Sequence, residues 1–174
     1  MKYLLLLFLI SINSFANDNK SIELIGPGIT YHVIDNGVAT QYSNKLSSDG
    51  RWIKTNQLGI RFTNTENYSY NSTALFIASN SIGSTVYGGL ASTGMHIIIF
   101  DTGFVFGGYV QNNEDFRAKG IEPYSLAGNT NAFVPLMGME FNVKFPIGSK
   151  IFLGLNNLIT PIITNHNLSI GLKY

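Results

Sequence analysis

Side chains that alternate in polarity with a period of two place the strongest constraint on the fold of this chain. From Leu168 to Tyr174, large apolar side chains occupy every second position, with Ser169, Gly171 and Lys173 between them. Such alternation puts one set of side chains on each face of a β-strand. The apolar face can meet lipid around a closed barrel, or it can meet a protein core in a soluble sheet.

The same pattern recurs along the chain and predicts eight strands. Phe141, which separates Glu140 from Asn142, belongs to the clearest example. Two long polar segments, 34–55 and 111–131, are predicted external loops, and most other connections are short, as in outer-membrane barrels. The predicted strands span 22–33, 56–65, 70–80, 84–92, 96–110, 133–145, 150–159 and 167–174, with short turns at 66–69, 81–83, 93–95 and 146–149.

The first predicted strand contains a proline. Because Pro27 has no N–H to donate to a neighbouring strand, strand pairing is predicted to break locally at this position. Simple alternation places Ile25 and Ile29 on one face of the strand, and Gly28 and Thr30 on the other.

The beginning of the chain has the features of a cleavable export signal. Lys2 provides a positive start, an apolar run follows at 3–12, and small residues precede the expected cleavage point. The alternative is an uncleaved anchor, but the apolar run is much shorter than the roughly 20 residues that a spanning helix needs. The sequence therefore predicts a signal peptide at 1–16 and a single domain at 17–174.

Composition narrows the class of protein. Removing Lys2 with the signal leaves ten basic and ten acidic side chains, a balance that gives no support to a nucleic-acid partner. The chain has no Cys, whereas small exported soluble domains often carry disulfides. No later apolar run is long enough for a spanning helix, so a membrane protein of this sequence must cross as a closed barrel. The predicted fold class is all-β: an eight-stranded antiparallel transmembrane β-barrel of the outer-membrane type.

Charged side chains on the polar faces of the strands are predicted to point into the barrel. An eight-stranded barrel has an interior just wide enough for side chains or one slim ligand. Ionisable groups enclosed there are expected to pair with one another. The predicted inward set is Arg61, Asp101, Glu140, Lys144 and Lys173.

Three polar residues at one end of the predicted barrel are candidates for chemistry. His32 lies near the end of strand one, and Asn80 and Ser81 lie where strand three ends, so all three are expected at the same membrane surface. A histidine base and a hydroxyl at that level can move an acyl group between lipids. The alternative is a rim histidine and an ordinary turn serine. The sequence has no metal-ligand spacing, phosphate-binding loop or Gly-x-Ser-x-Gly elbow, and no cofactor or metal is predicted.

Several short motifs resemble those of the outer-membrane lipid A palmitoyltransferases. The run from Pro27 to His32 resembles the Pro-x-x-Thr-Trp-His of that family's first strand, with Tyr31 in place of Trp. Asn80-Ser81, followed by a strand with two glycines, is similar to the family's Asp-Ser. Pro135 and Pro161 resemble the prolines of its sixth and seventh strands. Asn80 departs from the family pattern because an amide replaces a carboxylate, and the amphipathic helix before strand one is nearly absent.

The resemblance implies a function. The chain would be a monomeric acyltransferase of the bacterial outer membrane that moves a palmitoyl chain from a phospholipid to lipid A. The implied catalytic residues are His32, as the base, with Ser81 and Asn80 assisting. Prolines would open gaps in strand pairing through which lipid enters, and the acyl chain would lie in the upper barrel. The apolar inward residues expected to line this slot are Ile97, Ile99, Val105, Val134, Leu136 and Phe152.

Two alternatives stay open from the sequence. One is a non-catalytic outer-membrane barrel with a structural or surface-interaction role, whose loops at 34–55 and 111–131 make the contacts. The other is a soluble lipid carrier shaped like a lipocalin. That carrier would need its apolar faces turned inward, which the inward-leaning Glu140, Lys144 and Lys173 argue against.

Overall fold

The computed structural model describes residues 20–33, 45–118, 120 and 130–174 of the chain. The predicted signal peptide at 1–16 lies outside the described residues, as do parts of both predicted loops. The described part consists almost entirely of β-strands. The elements are β1 (Lys20–His32), β2 (Trp52–Thr55), β3 (Gln57–Glu66), β4 (Ser69–Ser79), β5 (Thr85–Ile97), β6 (Phe100–Asn112), α1 (Asn113–Arg117), β7 (Asn131–Pro146), β8 (Ile151–Ile159) and β9 (Ile163–Lys173).

The strands form one closed sheet. Neighbours from β3 to β9 pair antiparallel in sequence order, and β1 pairs with both β3 and β9. β2 and β3 both pair with β1, β2 beside Gly28–Tyr31 and β3 beside Lys20–Ile25, so they are two halves of one strand interrupted at Asn56. The structure is therefore a barrel of eight antiparallel strands, which confirms that part of the predicted fold class.

Large apolar side chains cover the outside of the barrel. Phe104 is 69% exposed, whereas its neighbour Val105 is 1% exposed, and the same alternation runs through Met137 (76%) and Leu136 (7%). On β9, Leu168 is exposed and Ser169 is buried. The faces predicted for β3, β6, β7 and β9 are therefore confirmed, except near the strand ends.

The predicted faces of β1 are wrong on one side of Pro27. Ile25 is 4% exposed and Ile29 is 39% exposed, so they lie on opposite faces. The register between β1 and β9 shifts between Ile25 and Gly28, because β1 has one residue more than its partner there. One extra residue exchanges the two faces of a strand. The predicted break in pairing at Pro27 is confirmed, and the break is what inverts the alternation.

The predicted turn at 93–95 is also wrong. β5 continues to Ile97, and the chain turns at Ile98 and Ile99, with Ile98 in the left-handed region at φ 59°. Gly94 pairs with Gly103 on β6, and a Cβ at Gly94 would lie 2.2 Å from the Thr102 carbonyl oxygen. Gly94 therefore permits close approach of two strands rather than a turn.

Both predicted loops contain regular structure. Residues Trp52–Thr55 form β2, and Asn113–Arg117 form α1. The Asn112 side chain accepts a hydrogen bond from the Glu114 N–H and caps this helix, which carries acidic residues in its first turn. No helix in the described ranges is long and apolar enough to cross a membrane.

A network of polar side chains fills the interior. Arg61 on β3 binds Glu140 on β7 (Nη2 to Oε2, 2.9 Å) and donates to the Asn156 amide oxygen on β8 (3.0 Å). Tyr70 on β4 donates to Glu140 (2.7 Å), and Asn156 donates to Glu23 on β1 (2.8 Å). Five strands are thus joined through side chains as well as backbone.

A second set of buried charges lies toward the β5–β6 turn. Asp101 accepts from Lys144 (2.6 Å) and bonds to the His96 ring (2.6 Å). Four predicted inward charges are therefore buried and paired. Lys173 was wrongly included, because it is exposed at the end of β9. Buried Lys20 and Glu23 were missed.

Replacing Glu140 by Gln is expected to lower the free energy of unfolding by ~3–5 kcal/mol, because the Arg61 guanidinium would keep its charge in a buried position without its counter-ion. Denaturant titration of the refolded barrel in detergent measures this change. The exposed Glu66, changed to Gln in the same way, should alter stability by no more than ~0.5 kcal/mol. Equal effects of the two substitutions would contradict the proposed role of the network.

Candidate functional site

His32 is the last residue of β1 and is held by the backbone of the neighbouring segment. Its N–H donates to the carbonyl oxygen of Arg51 (2.9 Å), and its side chain is half-buried. The ring lines a cavity in the adjacent part of the barrel. We call this end of the barrel the site end and the opposite one, with the β5–β6 turn, the far end.

Asn80 and Ser81 lie in the turn between β4 and β5, at the site end. The Asn80 side-chain oxygen accepts from the backbone N–H groups of Ile82 (3.2 Å) and Ser84 (2.9 Å). The Asn80 carbonyl accepts from Gly83, whose φ of 84° suits glycine. Asparagine commonly builds such turns through its side-chain oxygen. The turn fixes the position of Ser81 beside it.

Ser81 and His32 meet across the site end. The Ser81 hydroxyl oxygen lies 2.8 Å from Nε2 of the His32 ring, although 49 residues separate them in sequence. This is the distance expected for a nucleophile and its base. The structure therefore joins two of the three predicted site residues directly and places the third, Asn80, next to Ser81 in the same turn.

The amide nitrogen of Asn80 differs from its oxygen in having no hydrogen-bond partner in the described part of the chain. This Nδ2 atom is buried, and Asn80 lines the same cavity as His32 and Ser81. Because the oxygen is held by two backbone N–H groups, the orientation of the amide is defined. The amide therefore offers a donor of defined orientation in the turn that also carries Ser81.

The cavity has a volume of ≈ 130 Å³ and two kinds of wall. His32, Asn80 and Ser81 lie at one part of its surface, and the ion pair of Arg61 and Glu140 at another. Between these polar parts, buried aliphatic side chains line the cavity together with amide and hydroxyl groups. They include Ile25, Ile53, Ala74, Ala78, Val86 and Leu136.

The residues expected to point inward and line a slot are confirmed only in part. Of the six, Val105, Leu136 and Phe152 are buried, but only Leu136 of these three lines the cavity, and Ile97 is 48% exposed. The displaced β5–β6 turn accounts for Ile97, because moving a turn changes which face its neighbours occupy.

The polar lining of the cavity was not predicted from the sequence, because it falls partly in a predicted loop. Asn165 donates to the Thr30 hydroxyl (2.6 Å), which lies 2.6 Å from the hydroxyl of Thr55. Asn165 and Asn167 both line the cavity and are buried on β9. Their spacing of two residues, in step with Ser169, was the signal that the strand begins earlier than predicted.

A gap in strand pairing lies beside the cavity. β7 pairs with β8 only from Met139 to Pro146, so residues 131–138 of β7 have no pairing partner on β8. β8 ends at Ile159, before Pro161. Leu136 and Leu158, which flank this gap, both line the cavity. The barrel wall is therefore interrupted at two places, between β7 and β8 and at the bulge in β1. Both places lie near prolines.

Residues 20–33, 45–118, 120 and 130–174 contain no group of three or more His, Asp or Glu side chains that could hold a metal ion.

No protein-family model matches the sequence, and no curated protein matches it either. The likeness to lipid A palmitoyltransferases accordingly remains a resemblance of short motifs, and the chain is assigned to no family.

Proposed function

We propose that this chain is an outer-membrane β-barrel enzyme that transfers an acyl chain from a phospholipid to lipid A at the outer leaflet. The observation that carries the proposal is the 2.8 Å contact between the Ser81 hydroxyl and the His32 ring, at a cavity whose wall is partly aliphatic. A hydroxyl beside an imidazole is suited to ester exchange.

The distribution of side chains supports a membrane location. Exposed Phe, Met, Leu and Ile side chains cover the outer surface, whereas ion pairs and amides fill the interior. In lipid, a closed barrel satisfies every backbone hydrogen bond and presents an apolar exterior. A soluble carrier would reverse the two faces, so the lipocalin-like alternative loses support.

The proposed reaction has two balanced steps. The Ser81 oxygen attacks the carbonyl carbon of a phospholipid ester while Nε2 of His32 accepts its proton. The ester C–O bond breaks, and the departing lysophospholipid oxygen takes that proton from His32. A lipid A hydroxyl then attacks the acyl-Ser81 ester and gives its proton to His32, and the Ser81 oxygen recovers it on leaving.

Asn80 is assigned to the oxyanion. Each tetrahedral intermediate places negative charge on the former carbonyl oxygen, and a fixed donor in a dry site stabilises this charge. The buried Nδ2 of Asn80, in the same turn as Ser81, is assigned this role. The amide that replaces the carboxylate of the resembling family would thereby add a hydrogen-bond donor to the site.

The gap beside β7 gives the acyl chain a route into the cavity. Residues 131–138 lack a β8 partner, and the flanking Leu136 and Leu158 belong to the cavity wall. An acyl chain could pass from surrounding hydrocarbon to an apolar wall without crossing a complete hydrogen-bonded sheet.

Expression in a Gram-negative host that lacks its own outer-membrane lipid A acyltransferase tests the proposal. Lipid A is expected to gain the mass of one acyl chain. Changing His32 to Gln should lower the rate about 100- to 10,000-fold, because the general base is removed. Mass spectrometry of extracted lipid A measures both results.

His96 supplies the matched control for this experiment. It lies at the far end beside Asp101, so His96→Gln should retain the added acyl chain. If the unaltered protein is folded in the outer membrane and lipid A keeps its original mass, the enzyme proposal is wrong, and the non-catalytic barrel becomes the better account.

Changing Asn80 to Asp removes the proposed Nδ2 donor but keeps the side-chain oxygen that builds the turn. An Asp oxygen still accepts from the N–H groups of Ile82 and Ser84, but the Nδ2 donor disappears. The transfer rate is expected to fall about 100- to 1000-fold. Asn112, which also accepts a backbone hydrogen bond through its side chain, gives the control Asn112→Asp, with an unchanged rate. Full activity of Asn80→Asp would refute the oxyanion assignment.

A further inference from the structure

One part of the outer wall carries polar side chains where the rest is apolar. Lys54 on β2 is exposed and lies on the same face as Trp52, whereas Ile53 between them is 2% exposed. On β1, Ile29 pairs with Lys54 on one side and with His166 of β9 on the other. Three adjacent strands therefore present Lys54, Ile29 and His166 in one row across the outside of the barrel.

An aromatic cluster borders this row toward the site end. The rings of Tyr31 and Trp52 lie 4.8 Å apart, and Trp52 stacks with His166 at 6.3 Å. The Asn157 amide oxygen lies 2.7 Å from Nδ1 of His166. Trp and Tyr rings are typical of the level at which lipid headgroups meet hydrocarbon. We call Tyr31, Trp52, Lys54 and His166 the outer patch.

The outer patch is positively charged on balance. Lys54 forms no ion pair in the described part of the chain, and Arg51 donates to the Tyr31 hydroxyl (3.3 Å). The nearby Asp49 is engaged within its own loop, where the Ser47 hydroxyl (2.5 Å) and the Arg51 N–H (3.0 Å) bind it. The Ser47 hydrogen bond lowers the pKa of Asp49, which keeps this carboxylate ionised and bound. Lys54 is thus left to face an external anion.

The place of the outer patch on its strands relates it to the proposed catalytic residues. Lys54 lies two residues below Trp52 on β2, about 7 Å further from the site end. A lysine at that depth extends its ammonium group toward the headgroup level while its stem covers apolar surface. The Arg51 carbonyl, next in sequence to Trp52, accepts from the His32 N–H. A headgroup on the patch would therefore lie one strand from His32.

We propose that the outer patch binds the phosphate of an anionic lipid in the surrounding leaflet, with Lys54 as the principal cation and the Trp52 and Tyr31 rings against the rest of the headgroup. The proposal rests on the membrane location given under Proposed function. It deepens that function by naming the side of the barrel, β2 to β9, from which a phosphorylated lipid reaches the site. The acidic residues of α1 follow β6, which lies on the opposite side of the barrel, four strands from β1.

Trp52 allows a direct test because the chain contains 1 Trp. The barrel is refolded into phosphatidylcholine vesicles that contain a fixed fraction of lipid with brominated acyl chains, which quench tryptophan on contact. The brominated lipid is phosphatidylglycerol in one series and phosphatidylcholine in the other. Contact quenching by the anionic lipid is expected to correspond to about fivefold preferential occupancy, the effect of one basic residue near a membrane surface.

Two variants define the cause of this preference. Lys54→Gln should remove about fivefold of the preference, whereas Lys173→Gln, an exposed cation at the far end, should leave it unchanged. Equal quenching by the two lipids in the unaltered protein would overturn the proposal while leaving acyl transfer open. Loss of the preference on adding millimolar inorganic phosphate would also overturn it, since the patch would then bind a free anion. Absence of quenching by either lipid would refute the membrane location on which the patch depends.

Discussion

The ion pair between Arg61 and Glu140 is the interaction on which the interior of this barrel depends. Within the described ranges six charged side chains are buried, three of each sign, and a charge enclosed without a partner is costly. Arg61 and Glu140 contact each other, and amide and phenol groups satisfy further donors and acceptors. The polar interior is stable because its members are joined, and the same arrangement leaves large apolar side chains to cover the outside.

Two local irregularities create the site above this interior. The bulge at Pro27 turns the end of β1 so that Thr30 and His32 lie on the cavity side while Ile29 and Tyr31 face outward. The turn built on the Asn80 side chain carries Ser81 to the same place. Neither feature belongs to a regular sheet. Together they bring the Ser81 hydroxyl into contact with the His32 imidazole, with the Asn80 amide in the same turn as Ser81. The bulge also places the Tyr31 ring in the outer patch. One extra residue therefore shapes both the cavity wall and the outer patch.

The regular strands could be predicted from the sequence, whereas the effects of the bulge and the position of one turn could not. Phe104, Phe141 and Leu168 identified their strands because a period of two is a local property. A break in strand pairing at Pro27 was expected, but the extra residue that changes the face of Ile25 was not, since the strand on which a bulge adds a residue depends on the partner strand. Gly94 was misread because a glycine that permits close approach has the same sequence appearance as one in a turn.

The candidate site was predictable only in part. Strand ends placed His32 and Ser81 at one surface, but a contact across 49 residues depends on register and on a turn conformation that sequence spacing does not fix. Asn165 was left outside the last predicted strand, which begins at Asn167. The reason is that the alternating residues here are polar and show no apolar face that would identify a strand. Four interior charges were predicted correctly from regular strands, whereas Lys20 and Glu23 were missed. The prediction for Lys173 was wrong because this residue lies at a strand end, where the barrel no longer encloses a side chain.

Spin-label accessibility is the sharpest test of whether the outer face of this barrel meets hydrocarbon. The chain has 0 Cys, so single Cys substitutions can be labelled without removing any native thiol. A nitroxide at position 104 or 137, in place of the exposed Phe104 or Met137, is expected to collide with oxygen and to be shielded from a water-soluble nickel complex after reconstitution into vesicles. A label in place of Asp49 should show the reverse. Free access of the nickel complex to positions 104 and 137 in the folded, vesicle-bound protein would contradict the membrane location and the lipid chemistry built on it.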